Sequence, residues 1–423
     1  MINVEKIAHK LRGIWRKVYV VGSYNVHALL KRNFWSDIDL ATDARPEEIR
    51  SVLRVVWEIW AKFWTLIVRE WSWIYEITTF RKDYWSIKKR KPENVVFTDS
   101  LNEDAQRRDF TFNAIYYDPL EDRYYDPVWG IGDLKDSKIR FVWDASERLQ
   151  DDMLRLLRYI RLKNKYSMNP ALPEYEDIVS KYMPFLREIS VERIKQELDK
   201  MISDKTNVDC LSDLKRYWFF SEFIPHLNNL SEAPGWKKIH LEWNVWKHTL
   251  RVMHELSKQN IKDIDIFWAA LLHDIWKYVS FGYDENWGIH YFWHEITWAK
   301  IFEEYISNAF KFPKKSKAKI SWLISNHIRI WTLAQMKPLK RNQFMAHPYF
   351  KDLIYLCIAD NLWKIPSNES SMYLLDKYEM FLQKYKRTIF LTGEDIRELY
   401  PDLKWKEIWQ RLKQENEKIL SEI

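Results

Sequence analysis

The sequence has 423 residues, which exceeds the usual size of a single hydrophobic core and predicts several domains. Apolar residues make up 47% of the chain and charged residues 30%, a composition that excludes an intrinsically disordered protein. The net charge of +7 mildly favours a polyanionic partner such as RNA, although composition alone does not establish one.

The N-terminal third of the sequence predicts a mixed domain. The first segment, MINVEKIAHKLRGIW, lacks the apolar run of a signal peptide, and no apolar run in the chain reaches about 18 residues. We therefore expect a cytoplasmic protein without a membrane span. Residues 17–140 mix β-rich runs, KVYVVGS, DIDLAT and IYEITTF, with helix-like segments. The pattern predicts a small mixed α/β head over residues 1–140 of an α+β protein.

The remaining sequence predicts helices. Apolar residues recur at helical spacing from Ser146 to about Ile224, and turn-forming residues then gather in NNLSEAPGW. Eight of the eleven histidines fall between His240 and His347, which predicts a separate helical domain there. The predicted parts are an all-helical neck and body at residues 141–227, a linker at 228–236, a helical domain at 236–365 and a helical tail at 366–423.

Two aspartates form the first candidate site. Asp37 and Asp39 flank one apolar residue after a Gly-Ser turn, and residues two apart on a strand face the same side. Paired carboxylates of this kind hold Mg²⁺ together with substrate phosphates and water. A two-metal arrangement would activate a 3′-hydroxyl and stabilise the triphosphate oxygens during in-line displacement. For an isolated D-x-D pair, a polar strand edge is the commoner interpretation.

Further motifs favour the catalytic interpretation. Beside DIDLATDARPEEI and IYEITTFR, the sequence contains RRDFTFNAI at residues 107–115, YDPVWGIGDL at 125–134, IRFVWDASER at 139–148 and RLQDDMLRLLRYIR at 148–161. In this order the motifs resemble those of the class II tRNA nucleotidyltransferases, the bacterial CCA-adding enzymes and related poly(A) polymerases. The resemblance covers most of the chain and implies a polymerase-beta-like nucleotidyltransferase head.

The resemblance implies roles for individual residues of the head. Asp37 and Asp39 would be the Mg²⁺ ligands, with Glu76 as a third catalytic carboxylate. The residues that it assigns to nucleotide binding are Gly22, Ser23, Arg108, Asp109, Asn113, Asp152, Arg155 and Arg158. For Arg108 and its neighbour Arg107, a solvated basic pair is the alternative.

The turn after the first predicted strand departs from the family pattern. The family usually has a second glycine where this chain has Ser23, and an Arg-Asp pair near Val26 and His27. Loss of that arginine could weaken contacts with the triphosphate or the primer. Lys31 or Arg32 could compensate for it.

One pair of residues is a candidate for nucleotide selection. Asp152 and Arg155 lie three apart on a predicted helix, so we expect them to project from one face. Cytosine and adenine both present an amino donor beside a ring-nitrogen acceptor, which suits a carboxylate paired with a guanidinium. The resemblance adds that the family selects nucleotides with an E-D-x-x-R motif, here DDMLR at 151–155. The alternative is an ordinary salt bridge on an exposed helix.

A second ordered set of motifs lies in the histidine-rich domain. It consists of HLEWNVWKHTL at 240–250, LLHDIWK at 271–277, GIHYFWHE at 288–295, NHIR at 326–329 and CIADN at 357–361. The set resembles the HD phosphohydrolase domain that some bacterial CCA-adding enzymes carry at their C-terminal side. Imidazoles and carboxylates on separate helices can hold a divalent transition metal with open positions for water and phosphate.

The resemblance also implies which residues hold the metal. Since Cys210 and Cys357 are the only cysteines, a cysteine zinc site is not available and the ligands must be histidines and carboxylates. The implied core ligands are His248, His273, Asp274 and Asp360. The implied contacts of a second metal or of phosphate are His290, His294 and His327.

Glycine and tryptophan occur in unusual numbers. The chain has 8 glycines and 24 tryptophans, whereas average usage predicts about 30 glycines. Tryptophan stands where the family has glycine at positions 64, 71, 129, 143, 243, 276, 293 and 298. One hypothesis is that the source reads UGA as glycine and that about 22 of the tryptophans are glycines, which restores ordinary usage. It predicts crowded or outward-turned indoles; the alternative, stacking on RNA, predicts clustering on one face.

Together these features predict an enzyme that adds or repairs the 3′-terminal CCA of tRNA from CTP and ATP, with an appended phosphohydrolase. The nearest alternative is a poly(A) polymerase or an enzyme that adds only CC or only A. A different class, a tRNA-binding protein with decayed sites, is suggested by Ser23, Val26 and His27.

Overall fold

A computed structural model describes residues 2–33, 38–59, 65–71, 73–84, 94–233, 244–277, 281–283, 289–291, 301–361, 370–388, 390–400 and 402–423. The chain forms two compact units, Met1–Glu197 and Leu198–Ile423. Their boundary lies inside the predicted neck and body, so the division into four parts stays a prediction. In the described part of the chain, no helix is both long and apolar enough to cross a membrane.

The first unit combines strands and helices. Its strands are β1 Val18–Val21, β2 Ile38–Thr42, β3 Val55–Ile59, β4 Thr65–Glu70, β5 Trp73–Thr79, β6 Arg81–Tyr84, β7 Asn94–Phe97, β8 Tyr116–Asp118, β9 Arg123–Tyr125, β10 Lys138–Ile139 and β11 Asn169–Pro170. Its helices are α1 Ile2–Arg12, α2 Ser23–Leu29, α3 Pro46–Val52, α4 Leu101–Gln106, α5 Gly130–Lys135, α6 Ala145–Asp151, α7 Leu154–Tyr166 and α8 Tyr175–Tyr182. Helix α9, Val191–Ile202, spans the boundary between the units.

A mixed sheet forms the centre of the first unit, with strand order β3-β4-β5-β2-β1-β8-β9. The predicted strands in KVYVVGS, DIDLAT and IYEITTF are confirmed as β1, β2 and β5. Strand β1 is buried on both faces, because Val18 and Val20 pack in one hydrophobic cluster and Tyr19 and Val21 in another. A slip of one residue would exchange these faces, so the packing fixes the register of β1 against β2.

The second unit is helical apart from one short hairpin, as far as the described residues go. The hairpin strands are β12 Phe281–Tyr283 and β13 Ile289–Tyr291. The helices are α10 Asn207–Arg216, α11 Phe219–Phe223, α12 Pro225–Asn228, α13 Val245–Lys258, α14 Ile264–Leu272, α15 Ser307–Ala309, α16 Lys314–Asn326, α17 Pro338–Met345, α18 Phe350–Asn361, α19 Ser370–Arg387, α20 Gly393–Leu399 and α21 Trp405–Glu422.

Helix α14 is the central helix of the second unit. The side chain of Asp263 accepts a hydrogen bond from the Asp265 amide and caps its first turn, and every residue from Ile266 to Leu272 is buried. A helix that is apolar all round must be covered on every side. Helices α13, α16 and α18 pack against it, which places the C-terminal end of α14 inside the unit.

Candidate functional site

Two carboxylates meet in the central sheet of the first unit. Asp39 on β2 pairs in register with Glu76 on β5, and on its other side with Val21 at the end of β1. Because directly opposed residues of neighbouring strands project to the same face, the two carboxylates lie side by side. Asp37 lies outside the described residues. The predicted third carboxylate is therefore adjacent to Asp39.

The turn after β1 approaches this carboxylate closely. Gly22 has φ of 72°, which glycine adopts readily, and it is the residue before α2, which begins at Ser23. A Cβ atom at position 22 would lie 3.1 Å from Oδ2 of Asp39. The glycine of the predicted Gly-Ser turn is thus required both by its backbone conformation and by its contact with Asp39.

A buried carboxylate that sequence reasoning missed holds the basic pair in place. Asp104 on α4 is completely buried and contacts Arg107 at 2.7 Å and Arg108 at 3.1 Å. The Tyr116 hydroxyl donates to Asp104 at 2.6 Å and accepts from Nε of Arg108 at 2.9 Å. The sequence does carry a signal for this contact, because Asp104 precedes Arg107 by three residues and Arg108 by four. On a helix, residues at these spacings are neighbours. Arg107 and Arg108 are therefore a structured pair rather than a solvated one.

The charges in this cluster compensate one another. Burial alone would raise the pKa of the Asp104 carboxyl, but the charges of Arg107 and Arg108 outweigh it and hold the pKa at about 2. Asp104 is thus ionised at neutral pH. This fixes the orientation of the Arg108 side chain, which also donates to the Asn113 carbonyl at 3.3 Å.

Asp109 organises the next group of predicted nucleotide contacts. Its Oδ1 accepts from Nδ2 of Asn113 at 3.1 Å, and its Oδ2 lies 2.8 Å from Nη2 of Arg158. Burial opposes ionisation, but the charge of Arg158 and the Asn113 hydrogen bond lower the pKa of Asp109. The structure therefore brings Asp109, Asn113 and Arg158 together, with Arg158 the more exposed member of the ion pair at 41%.

The predicted geometry of Asp152 and Arg155 is wrong. They do not share one helix, because α6 ends at Asp151 and Asp152 is extended, with φ of −150° and ψ of 103°, before α7 begins. Asp152 accepts instead from Nη2 of Arg193 at 2.7 Å. Arg155 is buried and donates to the carbonyls of Arg148, at 2.8 Å, and Arg107, at 3.0 Å. The two side chains are neighbours in sequence with separate partners.

In the second unit, three helices bring the four predicted core ligands together. His248 lies on α13, His273 and Asp274 follow α14, and Asp360 lies on α18. His248 Nε2 is 2.9 Å from Oδ1 of Asp360 and 3.3 Å from Nε2 of His273. His273 Nε2 is 3.3 Å from Oδ2 of Asp274. All four are at most 3% exposed.

Hydrogen bonds orient the imidazoles toward this cluster. His273 Nδ1 lies 2.7 Å from the Ala270 carbonyl and so carries its proton, which leaves Nε2 facing the carboxylates. His327, after α16, repeats the arrangement with the Ile324 carbonyl at 2.6 Å, and its Nε2 is 3.8 Å from Oδ1 of Asp274. His327 thus lies beside the cluster, and its role as a contact of a second metal or of phosphate stays a prediction.

Burial sets the protonation of these groups. It lowers the pKa of His248, and it lowers the pKa of His327 to about 4, so both imidazoles are neutral at neutral pH. Burial also opposes protonation of His273, but the Asp274 carboxylate outweighs it and raises the pKa of His273. The Lys277 ammonium, 2.6 Å from Asp274, is a neighbour that sequence reasoning missed.

The donor set fits a metal ion. His248, His273 and Asp274 offer ligand atoms that all lie within 4.8 Å of one another. Imidazole nitrogen and carboxylate oxygen together are typical ligands of divalent transition metals, and neutral imidazole is the form that binds. Of the other predicted contacts, His290 is described only by its backbone in β13, and His294 lies outside the described residues.

Comparison with known families matches three segments of the chain. The family described as "Poly A polymerase head domain" matches residues 18–140. "Probable RNA and SrmB- binding site of polymerase A" matches residues 173–230, and "HD domain" matches residues 245–363. The first match contains Asp39 and Glu76, and the last contains the histidine cluster.

Several relatives carry one name. A protein from Anoxybacillus flavithermus named CCA-adding enzyme is 36% identical over 270 residues, which are 61% of this chain and 67% of that protein. One of the same name from Listeria innocua is 33% identical over 245 residues, 57% of this chain and 62% of its own length. One from Lactobacillus johnsonii is 37% identical over 185 residues, 44% and 46% of the two chains. The matched stretches thus span about half to two thirds of these relatives.

Solved structures show the same fold. The crystal structure of a Bacillus stearothermophilus CCA-adding enzyme in complex with CTP is similar with a TM-score of 0.65 and 21% identity, over 99% of this chain and 92% of that one. A CCA-adding enzyme in complex with ATP gives a TM-score of 0.61 at 18% identity, over 99% and 91%. At this identity the likeness concerns architecture. It confirms the predicted α+β class, with a nucleotidyltransferase head, a helical body and an HD domain.

Proposed function

We propose that this chain, which belongs to the family of CCA-adding enzymes, adds or repairs the 3′-terminal CCA of tRNA. Its substrates would be CTP and ATP, and it would act in the cytoplasm. The observation that carries the proposal is the register of β2 and β5, which places Asp39 beside Glu76 next to the Gly22 turn. Carboxylates on neighbouring strands beside a glycine turn form a site where a triphosphate and Mg²⁺ can approach the backbone.

Asp39 and Glu76, together with Asp37, would hold Mg²⁺ in the head. Bound there, Mg²⁺ neutralises the charge of the triphosphate and lowers the pKa of the primer hydroxyl. A Cβ atom at Gly22 would lie 3.1 Å from Oδ2 of Asp39, so the lack of a side chain there would leave room for phosphate oxygens beside this carboxylate. Ser23 begins α2, so the helix N-terminus adds amide donors beside the same turn.

Arg108, Asp109, Asn113 and Arg158 would bind the incoming nucleotide. Two carboxylates, Asp104 and Asp109, hold the guanidinium groups in fixed positions, so little side-chain entropy is lost when the nucleotide arrives. Arg158 is the more accessible donor for phosphate or ribose oxygens. 

Asp152 and Arg155 would select cytosine and adenine. Asp152 stands at a break between two helices, where its carboxylate is 21% exposed and can accept from an exocyclic amino group. Arg155 is 8% exposed and already donates to two carbonyls, so a base would have to replace one of those contacts. Because Asp152 is the more accessible of the two, it would contribute more to the selection of the base. Without a nucleotide, its carboxylate accepts from Arg193.

The histidine cluster would support a second activity, hydrolysis of phosphomonoesters or 2′,3′-cyclic phosphates at damaged tRNA ends. His248, His273, Asp274 and Asp360 would hold a divalent transition metal, which when bound supplies an activated water. His327 faces the same centre and would contact phosphate or a second metal, together with His290 and His294. Lys277 lies beside Asp274 and keeps a positive charge at the edge of the site.

A comparison of the wild-type chain with Asp39→Ala on tRNA that lacks its 3′ CCA tests the head assignment. Labelled CTP and ATP should be incorporated by the wild type and not by the variant, because the variant loses a carboxylate of the metal site. A wild-type chain that binds this tRNA but incorporates nothing would favour the decayed binding protein. Incorporation by the variant at the wild-type rate would refute the role of Asp39.

A further inference from the structure

Five tryptophans occupy a backbone conformation that suits glycine. Among the described residues, ten that are not glycine have positive φ, and half of these are tryptophan. They are Trp15 at 61°, Trp71 at 58°, Trp129 at 64°, Trp143 at 69° and Trp218 at 66°. For a residue with a bulky side chain, the left-handed region brings Cβ close to the backbone, whereas glycine enters it freely. Tryptophan is only 24 of 423 residues, so this share is far above its abundance.

Two of the five positions lie in turns of a kind that requires this conformation. After α1, the amides of Trp15 and Arg16 donate to the carbonyls of Arg12 and Leu11, the bonding pattern in which the left-handed residue is usually glycine. Trp71 lies in the two-residue connection between β4 and β5, where tight hairpins require positive φ. Trp129 precedes α5, and Trp143 follows the Phe110–Phe141 bridge.

The five indoles contribute little to packing. Their exposed fractions are 92% for Trp15, 73% for Trp71, 83% for Trp129, 61% for Trp143 and 62% for Trp218. Trp71 does lie 4.4 Å from the ammonium of Lys6, a contact that is weak at an exposed site. At these five positions the backbone conformation disfavours a large side chain, and the exposed indole gains little from packing. Neither effect favours tryptophan.

Two other tryptophans behave in the opposite way and provide an internal control. Trp268 on α14 is fully buried and donates from Nε1 to Asp199 at 2.6 Å. Trp246 on α13 is 7% exposed and packs edge-on against Phe220. Both lie inside right-handed helices and fill core volume. The chain thus contains two populations of tryptophan.

We infer that the residues at positions 15, 71, 129, 143 and 218 are glycine in the native protein, and that their codons are UGA read as glycine in the source cells. UGA differs by one base from the tryptophan codon UGG and by one base from the glycine codon GGA. The scarcity of glycine, 8 residues in 423, agrees with this inference. Trp246 and Trp268 are genuine and should have UGG codons.

The inference extends unevenly to the remaining positions where the family has glycine. Positions 64, 243, 293 and 298 lie outside the described residues. Trp276 is described, but its φ is not positive and its indole is 1% exposed, so it is packed inside rather than turned outward. At position 276, glycine is indicated only by the resemblance to the family and by the composition of the chain.

Gene sequencing and peptide mass spectrometry on the protein from its source cells test the inference. We expect UGA codons and glycine masses at positions 15, 71, 129, 143 and 218, and UGG codons with tryptophan masses at 246 and 268. UGG codons or tryptophan masses at the five turn positions would overturn it. So would glycine at 246 and 268, because the two populations would then not differ. Neither outcome depends on whether the chain adds nucleotides.

Discussion

The nucleotide site of the head and the histidine cluster of the second unit balance charge in different ways. In the head, buried carboxylates have guanidinium partners from the same chain, as in Asp104 with Arg107 and Arg108, and Asp109 with Arg158. In the second unit, imidazoles and carboxylates converge within a few ångströms, with Lys277 contacting Asp274 at the edge. The first arrangement is built by the polypeptide alone, whereas the second has a ligand set that a bound cation would complete.

The largest expected effect is the loss of phosphoester hydrolysis without loss of nucleotide addition. His273→Ala should abolish phosphoester hydrolysis, by at least about a thousandfold, because it removes an imidazole from the centre of the cluster. The same variant should add nucleotides to tRNA at the wild-type rate. Both activities are measured on one preparation, with bis-p-nitrophenyl phosphate and with tRNA that lacks CCA.

Asp39→Ala provides the matched control, since it should show the reverse loss. If His273→Ala loses both activities while Asp39→Ala loses only nucleotide addition, the cluster has a structural role. That outcome would contradict the assignment of a separate hydrolytic site.

Disruption of the head cluster should destabilise the protein. Asp104→Asn leaves two partly buried guanidinium groups without their carboxylate, which should lower the free energy of unfolding by about 3 kcal/mol. Urea unfolding measures this loss. Asp99→Asn is the control, because Asp99 pairs with Arg45 at 2.8 Å but is 65% exposed, and its loss should change stability by less than about 1 kcal/mol. Equal effects of the two variants would contradict the account of the cluster.

Because of the Asp104 carboxylate, we expect the stability of the protein to depend on pH in the acid range. The folded pKa of Asp104, about 2, lies below its ordinary value, so its stabilising contribution is present above about pH 4 and is lost as pH falls toward 2. Between these pH values the wild type should lose about 2 kcal/mol more than Asp104→Asn. Urea midpoints at pH 5 and pH 2.5 compare the two proteins. Parallel losses would show that Asp104 does not titrate in this window.

Without nucleotide, metal addition should stabilise the second unit more than the first, because the head is proposed to hold its ion together with the phosphates of the substrate. Mn²⁺ or Co²⁺ at a hundred times its dissociation constant should stabilise the second unit by about 2.7 kcal/mol, through preferential binding to the folded state. Hydrogen exchange should slow more in α13 and α14 than in β1 and β8. Asp360→Ala, which lacks one carboxylate beside His248, should lose the response. An equal response in both units, or in the variant, would contradict the comparison.

The smallest effect concerns the left-handed turns. In the recombinant chain with tryptophan, Trp143→Gly should raise the free energy of unfolding by about 1 kcal/mol, because it relieves a left-handed conformation without loss of packing. Trp268→Gly should instead lower it by about 4 kcal/mol, since it empties a core position. Thermal unfolding measures both. A comparable loss in the two variants would contradict the distinction between the two populations.

The sequence was sufficient where local periodicity or adjacency carries the information. The β-rich run KVYVVGS predicted β1, and the resemblance carried by the motifs with His248 and His273 predicted a cluster that the helices do assemble. The pairing of Asp39 with Glu76 was suggested by resemblance and agrees with the sheet register. Strand β1 depends on neighbouring residues and the pairing of Asp39 with Glu76 on a single pair of strands, whereas the histidine cluster joins three helices and was predicted from the resemblance.

The sequence was insufficient where distant partners decide the structure. The helix break at Asp152 accompanies its contact with Arg193, 41 residues away, and helical periodicity carries no trace of it. The Asp104 cluster depends on Tyr116, which arrives from β8. Lys277 becomes part of the histidine cluster only because the chain after α14 is wound into a turn. In each case the tertiary contact overrides or completes the local pattern.

The most direct test of the proposed function is the sequence of the 3′ ends that the protein makes. tRNA that ends before CCA is incubated with CTP, with ATP or with both, and the products are sequenced. We predict two cytidines with CTP alone, nothing with ATP alone, and CCA with both, after which addition stops. Long oligo(A) tails with ATP alone would contradict the account and favour a poly(A) polymerase, and arrest at CC with both nucleotides would restrict the protein to partial addition.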